Sequence, residues 1–171
     1  YWNNEAKNLQ KNLSLWLAQD YPNTWELLII NDASSDNSAD WLRSQIPSNP
    51  RLRLIDLHQK NAQGKNQARL QGFLAAQNDW IVLTDADCVP VSEHWLKNLL
   101  AVRQTPTRII LGYSPYSQAN SWLNLYIRYE TVWAGMQYLG LGLAGYPYMG
   151  VGRNLAYERA FVLKHQNLAQ H

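Results

Sequence analysis

The chain has 171 residues, of which 46% are hydrophobic and 16% charged, and a formal net charge of +2. This length suits one well-packed domain and is short for two, and the composition is that of a globular chain. The single cysteine, Cys88, excludes an internal disulfide framework and a multi-cysteine zinc site and points to a reducing compartment; without a basic run, +2 is too small a footprint for a nucleic-acid binder.

In chain order, residues 5–19 read as an amphipathic helix, with Ala6, Leu9, Leu13, Trp16 and Leu17 at helical spacing and Tyr21-Pro22 as its stop. The run "ELLIIND" (26–32) has the uniform apolarity of a buried parallel strand. The turn "SSDNS" follows, and then a short helix over 39–46 with Asp36 or Ser38 as its cap. "RLRLIDL" (51–57) alternates like a half-buried strand, 64–77 is helical, and "WIVLTD" is again a strand. Ser92 caps a helix carrying Trp95, Leu96, Leu99 and Leu100 on one face, and "RIILGY" (108–113) is a further strand. Strands alternating with helices predict the α/β class, with a mostly parallel central sheet flanked by helices.

From residue 119 the texture changes. Trp122, Tyr126, Tyr129 and Trp133 form an aromatic stripe at helical spacing, and Thr131 to Gly152 contains no charged residue. Six of the nine glycines, with Pro147, fall in 135–152, a density that argues against one continuous helix. The expectation is a core helix running into a glycine-rich loop, with a segment dipping into lipid as the alternative. The charge also divides. Residues 1–87 hold 8 Lys+Arg against 10 Asp+Glu, and residues 88–171 hold 7 against 3.

Acids recur at strand ends: Asp32, Asp56, and the pair Asp85 and Asp87 in "WIVLTDADCVP". In an open parallel sheet, ligands bind outside the carboxyl ends of the strands. Asp and Asn also favour strand-to-loop turns, which accounts for Asp56. A turn needs only one carboxylate, however, and two placed one residue apart repel each other. A divalent cation, Mn²⁺ or Mg²⁺, relieves that repulsion. With so few protein ligands, it would arrive with a phosphorylated substrate. A phosphatase of the haloacid-dehalogenase type also uses an apolar strand ending in D-x-D. It requires further acids downstream, and after Asp87 the chain has no Asp and only Glu93, Glu130 and Glu158.

Four segments, "YWNNEAKNLQKNLSLWLAQDYP", "WELLIINDASSDNSADWL", "NAQGKNQARLQG" and "WIVLTDADCVP", resemble in order and spacing the family 2 glycosyltransferases, with Asn31 in place of the first Asp of their D-D-x-S-x-D motif. "GYPYMGVGRNLAYERAFV" resembles the acceptor-side segment of membrane-associated bacterial members. The resemblance implies a GT-A fold, a nucleotide-sugar-binding α/β sandwich. It implies an inverting, metal-dependent transfer of a sugar from a nucleotide-diphospho-sugar to a saccharide or lipid-linked acceptor. The setting would be bacterial cell-surface glycan synthesis, at the cytoplasmic face of the membrane. The alternative is a non-catalytic nucleotide-sugar or glycan binding module on the same fold.

By the same resemblance, Glu5, Asp32, Lys65, Arg69 and Asp85 would bind the nucleotide sugar, and Asp87 with Asp85 the metal. Arg153 and Asn154 would face the donor sugar or the acceptor, and Cys88 would be a small buried filler. Residues 1–171 would form a single domain, 1–90 its nucleotide-binding half and 91–171 its acceptor-side half. The family's first strand would precede Tyr1 and its catalytic base would follow His171.

Overall fold

The computed structural model describes residues 5–57 and 64–165. The first element is α1 (Ala6–Leu17), and its apolar positions Leu9, Leu13 and Trp16 are buried as their spacing requires. β1 (Leu27–Asp32) and β2 (Leu52–Leu57) pair in parallel, with Leu27 opposite Leu52 and Asp32 opposite Leu57. The helix between them, α2 (Ser38–Gln45), supplies the crossover connection that a parallel pair needs. Leu9, Leu13 and Trp16 close on Ile29, Leu42 and Leu52 to make one core. Leu42 is wholly buried, so Leu42→Ala would remove about 2–5 kcal/mol of stability.

α3 (Gly64–Ala75) packs on β1, and its Gly72 lies against Ile30. β3 (Trp80–Leu83) leads into α4 (Trp95–Ala101), and β4 (Ile109–Leu111) follows. A strand that the sequence reading did not assign, β5 (Leu155–Glu158), runs antiparallel between β3 and β4 and joins them into a second sheet. Leu96 and Leu100 of α4 cover this sheet at Ile110 and Ala156. The chain then turns into α6 (Arg159–Lys164).

Between the two sheets lies a cavity of about 650 Å³. Leu27, Leu28 and Ile30 of β1 line one side, and Trp80 to Leu83 of β3 line the other. Among the described residues, β1 pairs only with β2, and β3 only with β5, so the edges lining this slot carry no strand partner.

The glycine-rich region departs from expectation. α5 (Trp122–Leu143) is one helix of 22 residues that continues through Gly135, Gly140 and Gly142. It is capped by Ser121, whose side chain accepts from the Asn124 amide. Gly135 is required by packing, because a Cβ there would stand 2.7 Å from the Tyr113 ring. Tyr138, the one large side chain of α5 that is fully buried, donates its hydroxyl to the Gly112 carbonyl at 3.0 Å. The predicted core stripe faces outward instead: Trp122 is 87% exposed, Tyr129 64% and Trp133 53%. Smaller residues at the same spacing, Asn124, Ile127, Thr131 and Ala134, form the more covered face. Among the described residues no helix is long and apolar enough to cross a membrane.

Candidate functional site

The two acids of "TDAD" sit on a turn just past β3, closed by the Cys88 amide donating to the Asp85 carbonyl at 3.0 Å. Ala86 between them is buried in the first core, which leaves Asp85 half-buried and Asp87 exposed on either side. α1 fastens this turn. Asn12, 1% exposed among leucines, donates through Nδ2 to the carbonyls of Ala86 (3.0 Å) and Cys88 (3.4 Å). One helical turn pair further on, buried Gln19 donates to the Ser92 carbonyl and accepts from the Leu96 amide, both at 3.0 Å. Sequence reasoning missed both residues. Their signal was an amide side chain on or beside the apolar face of an amphipathic helix, where water cannot satisfy it.

Cys88 Sγ donates to Asp87 Oδ1 at 3.6 Å. Burial, followed by the nearby Asp87 and Asp85 carboxylates, pushes the thiol above its ordinary pKa, so it is a neutral donor at pH 7 and not a thiolate nucleophile.

Asp85, Asp87 and Trp95 share a cavity of about 300 Å³ with Tyr113, Tyr116, Arg153 and Asn154. Arg153 reaches it from the loop before β5. Its Nη2 donates to the Ser114 carbonyl and its Nη1 to the Tyr116 hydroxyl, each at 3.2 Å, and its guanidinium lies 4.6 Å from the Tyr116 ring centroid. A cation is thereby held in the cavity that contains both acids. Asn154 is engaged within the protein at four points, one of them its own amide donating to the Val151 carbonyl at 3.1 Å. Its Oδ1 accepts from the Trp95 indole at 3.1 Å, its Nδ2 donates to the Tyr113 carbonyl at 2.8 Å, and its carbonyl accepts from the Gly112 amide at 2.9 Å. Gly112 permits this, since a Cβ would meet Asn154 Cγ at 2.5 Å. Asn154 therefore ties α4, the β4 exit and the β5 entry together around the cavity.

The other expected residues lie elsewhere. Arg69 lines the inter-sheet slot with Asp85 and Gly152, and because Thr84 and Asp85 line both cavities, Asp85 stands at their junction. Asp32, 6% exposed at the end of β1, and Glu5, which accepts from Asn8 Nδ2 at 2.6 Å, line neither cavity. Lys65 falls in the first turn of α3, and its side chain lies outside the described residues. The two late acids are also placed apart from the acid pair: Glu158 pairs with Arg108, and Glu130 accepts from the Tyr126 hydroxyl at 2.7 Å.

The "NDASSD" turn is tightly tied. Asn31 Nδ2 donates to Asp56 Oδ1 at 2.7 Å, and Arg43 holds the other oxygen of Asp56, also at 2.7 Å. A carboxylate at position 31 would face another carboxylate, so the amide suits this surrounding. Ala33 takes a φ of +48°, a left-handed conformation costing about 1–2 kcal/mol for a residue with a Cβ.

Among the described residues no three His, Cys, Asp or Glu side chains converge as a metal-binding group. Two carboxylates one residue apart that line one cavity, without a third such ligand, suit a hard cation that completes its shell with water and substrate phosphate and do not suit an all-protein structural site.

The model of the family described as "Glycosyl transferase family 2" matches residues 3–159. Over 126 residues, 72% of this chain and 40% of the relative, the chain is 28% identical to the glycosyltransferase GlyG of Streptococcus pneumoniae. Its fold resembles that of the mannosyltransferase PcManGT from Pyrobaculum calidifontis, in complex with GDP-Man and Mn²⁺. That likeness has a TM-score of 0.70 at 20% identity and covers 96% of this chain and 44% of the other. A TarS structure from S. aureus in complex with UDP-GlcNAc matches with a TM-score of 0.60 at 15% identity, covering 96% and 45%. The chain thus spans less than half the length of each of these proteins. With a family match over nearly its whole length, and an α/β fold shared with these glycosyltransferases, the chain belongs to glycosyl transferase family 2.

Proposed function

We propose that this chain is the donor-binding part of an inverting, metal-dependent glycosyltransferase. It would move a sugar from a nucleotide-diphospho-sugar to a saccharide or lipid-linked acceptor, in bacterial cell-surface glycan synthesis at the cytoplasmic face of the membrane. The observation that carries this reading is the shared cavity of Asp85, Asp87 and Arg153, two acids and a cation beyond the end of one strand. Asp87, with Asp85, would hold Mn²⁺ or Mg²⁺, which supplies Lewis-acid stabilisation of a leaving diphosphate. Asp85, which lines both cavities, would meet both the metal and the ribose. Arg153, fixed by Ser114 and Tyr116, offsets negative charge on the departing group. Arg69, and Lys65 from the same helix, would reach the nucleotide. Asp32 and Glu5 would act at the nucleoside end, which assigns 1–90 mainly to the nucleotide and 91–171 to the acceptor side.

The test is calorimetric titration of UDP, GDP, dTDP and CDP into the chain, with and without Mn²⁺. GDP and UDP come first because PcManGT is complexed with GDP-Man and TarS with UDP-GlcNAc. Metal-dependent binding of one nucleotide, lost in Asp87→Asn, is the expected result. Binding that is indifferent to both the metal and Asp87 would refute the assignment of the acid pair.

A further inference from the structure

Among the described residues, Arg153 is the one cation that lines the cavity of Asp85 and Asp87, since Arg69 lines the slot between the sheets instead. Its two side-chain acceptors, the Ser114 carbonyl and the Tyr116 hydroxyl, are neutral oxygens. Neutral acceptors orient a guanidinium without cancelling its charge, whereas a carboxylate would do both. Each Nη spends one hydrogen on these bonds, which leaves the other donors of the planar fork to a ligand.

Ser114 and Tyr116 stand on either side of Pro115, whose ring fixes its own φ. The start of this segment is anchored. The Gly112 carbonyl accepts from the Tyr138 hydroxyl at 3.0 Å, and the Tyr113 carbonyl accepts from Asn154 Nδ2 at 2.8 Å. From that base Tyr116 grips the guanidinium twice, through its hydroxyl at 3.2 Å and through its ring, whose centroid lies 4.6 Å from the guanidinium carbon.

We infer that Tyr116 is a positioning residue of the donor site, which aims the Arg153 guanidinium at the terminal phosphate of a nucleoside diphosphate bound at the acid pair. This deepens the donor reading proposed above and rests on it. Carboxylates repel a phosphate and engage it only through a cation, whereas a guanidinium engages it directly with two parallel hydrogen bonds. A cavity of about 300 Å³ that holds both kinds of group therefore discriminates by phosphate number. A monophosphate occupies the acid side alone, and a diphosphate engages the acid side and Arg153 together. A mere brace between the 113–116 segment and the loop before β5 would give no such discrimination.

The test is a double-mutant cycle on the 171-residue chain, read by calorimetry in Mn²⁺ with UDP, GDP, dTDP and CDP, each against its monophosphate. The quantity read is the ratio of diphosphate to monophosphate affinity, which a loss of stability alone leaves unchanged. Arg153→Gln and Tyr116→Ala are each expected to lower that ratio about tenfold, and Tyr116→Phe, which keeps the ring and loses the hydroxyl, about threefold. In the Arg153→Gln background Tyr116→Ala lowers it no further, because Tyr116 acts through Arg153. Circular dichroism of each variant matches the parent, as suits a side chain 47% exposed; should Tyr116→Ala lose the fold, Tyr116→Phe decides the same question. A ratio indifferent to Tyr116, or equal loss of both nucleotides, overturns the inference and leaves Tyr116 a brace. An undiminished loss in the Arg153→Gln background also overturns it, by placing Tyr116 on the ligand itself. Absence of metal-dependent nucleotide binding by the parent overturns the donor reading and this inference with it, so the two failures are distinguishable.

Discussion

Asn12 illustrates how one buried amide can govern a distant site. It lies on α1, yet its two hydrogen bonds end on Ala86 and Cys88, the residues flanking Asp87. Both carbonyls lose a partner in Asn12→Ala, which should cost about 1–3 kcal/mol of stability. The same substitution should weaken metal-dependent nucleotide binding, because the turn that carries the acids is no longer pinned. Urea denaturation beside calorimetry checks both parts, and an unchanged denaturation midpoint would refute the clamp. Asn154 works similarly, since an amide that satisfies Trp95 and Tyr113 at once fixes two walls of one cavity.

At the scale of elements, Asp36 joins two helix starts. It accepts from the amide and hydroxyl of Ser38 at the head of α2 and from the Ala6 amide at the head of α1. Desolvation by burial would raise its pKa, but the hydrogen bonds from Ser38 and Ala6 outweigh it and hold the carboxyl below its ordinary value. A depressed folded pKa contributes stability above the unfolded value, and that stability is lost as pH falls through the folded one. Denaturation midpoints should therefore fall on the acid side of about pH 4. Asp36→Asn should be less stable at neutral pH and flatter with acid; an identical acid profile in the variant would sink this account.

The seat of α5 is a second case at this scale. Gly135→Val would drive a side chain into the Tyr113 ring, where even a Cβ stands 2.7 Å away. The expected cost is about 1–3 kcal/mol, read as a lower thermal midpoint. Weakened nucleotide binding should accompany it, since Tyr113 lines the acid cavity.

At the scale of the whole molecule, the cavity of Asp85, Asp87 and Arg153 is an assembly of four separate segments: the turn after β3, the start of α4, the residues after β4 and the loop before β5. Its metal would be held by two protein carboxylates together with the substrate, so the ion is not part of the fold. Chelation with EDTA should leave the thermal midpoint in place and remove nucleotide binding. A midpoint that falls on chelation would show instead that the metal holds the structure together.

Periodicity and local chemistry determined much of this by themselves. α1, β1, β2, β3 and the acid pair at the end of β3 were all legible, because alternating or 3.6-residue patterns and strand-end acids are local properties. The family's ordered motifs were legible for the same reason. What the sequence could not decide was which side of a pattern faces the protein. The aromatic stripe of α5 has correct helical spacing but points outward, because the small residues opposite it allow closer approach to the β4 exit. Of the glycines within the helix, Gly135 is required by packing against the Tyr113 ring, whereas Gly140 faces open space. β5 was invisible as four residues, "LAYE", and becomes a strand through pairing with the edges of β3 and β4. Arg153 lines the same cavity as Asp85 and Asp87 through that antiparallel insertion, which brings together segments more than sixty residues apart. Such long-range pairing belongs to tertiary structure, since its energy comes from neighbours that the local sequence does not name.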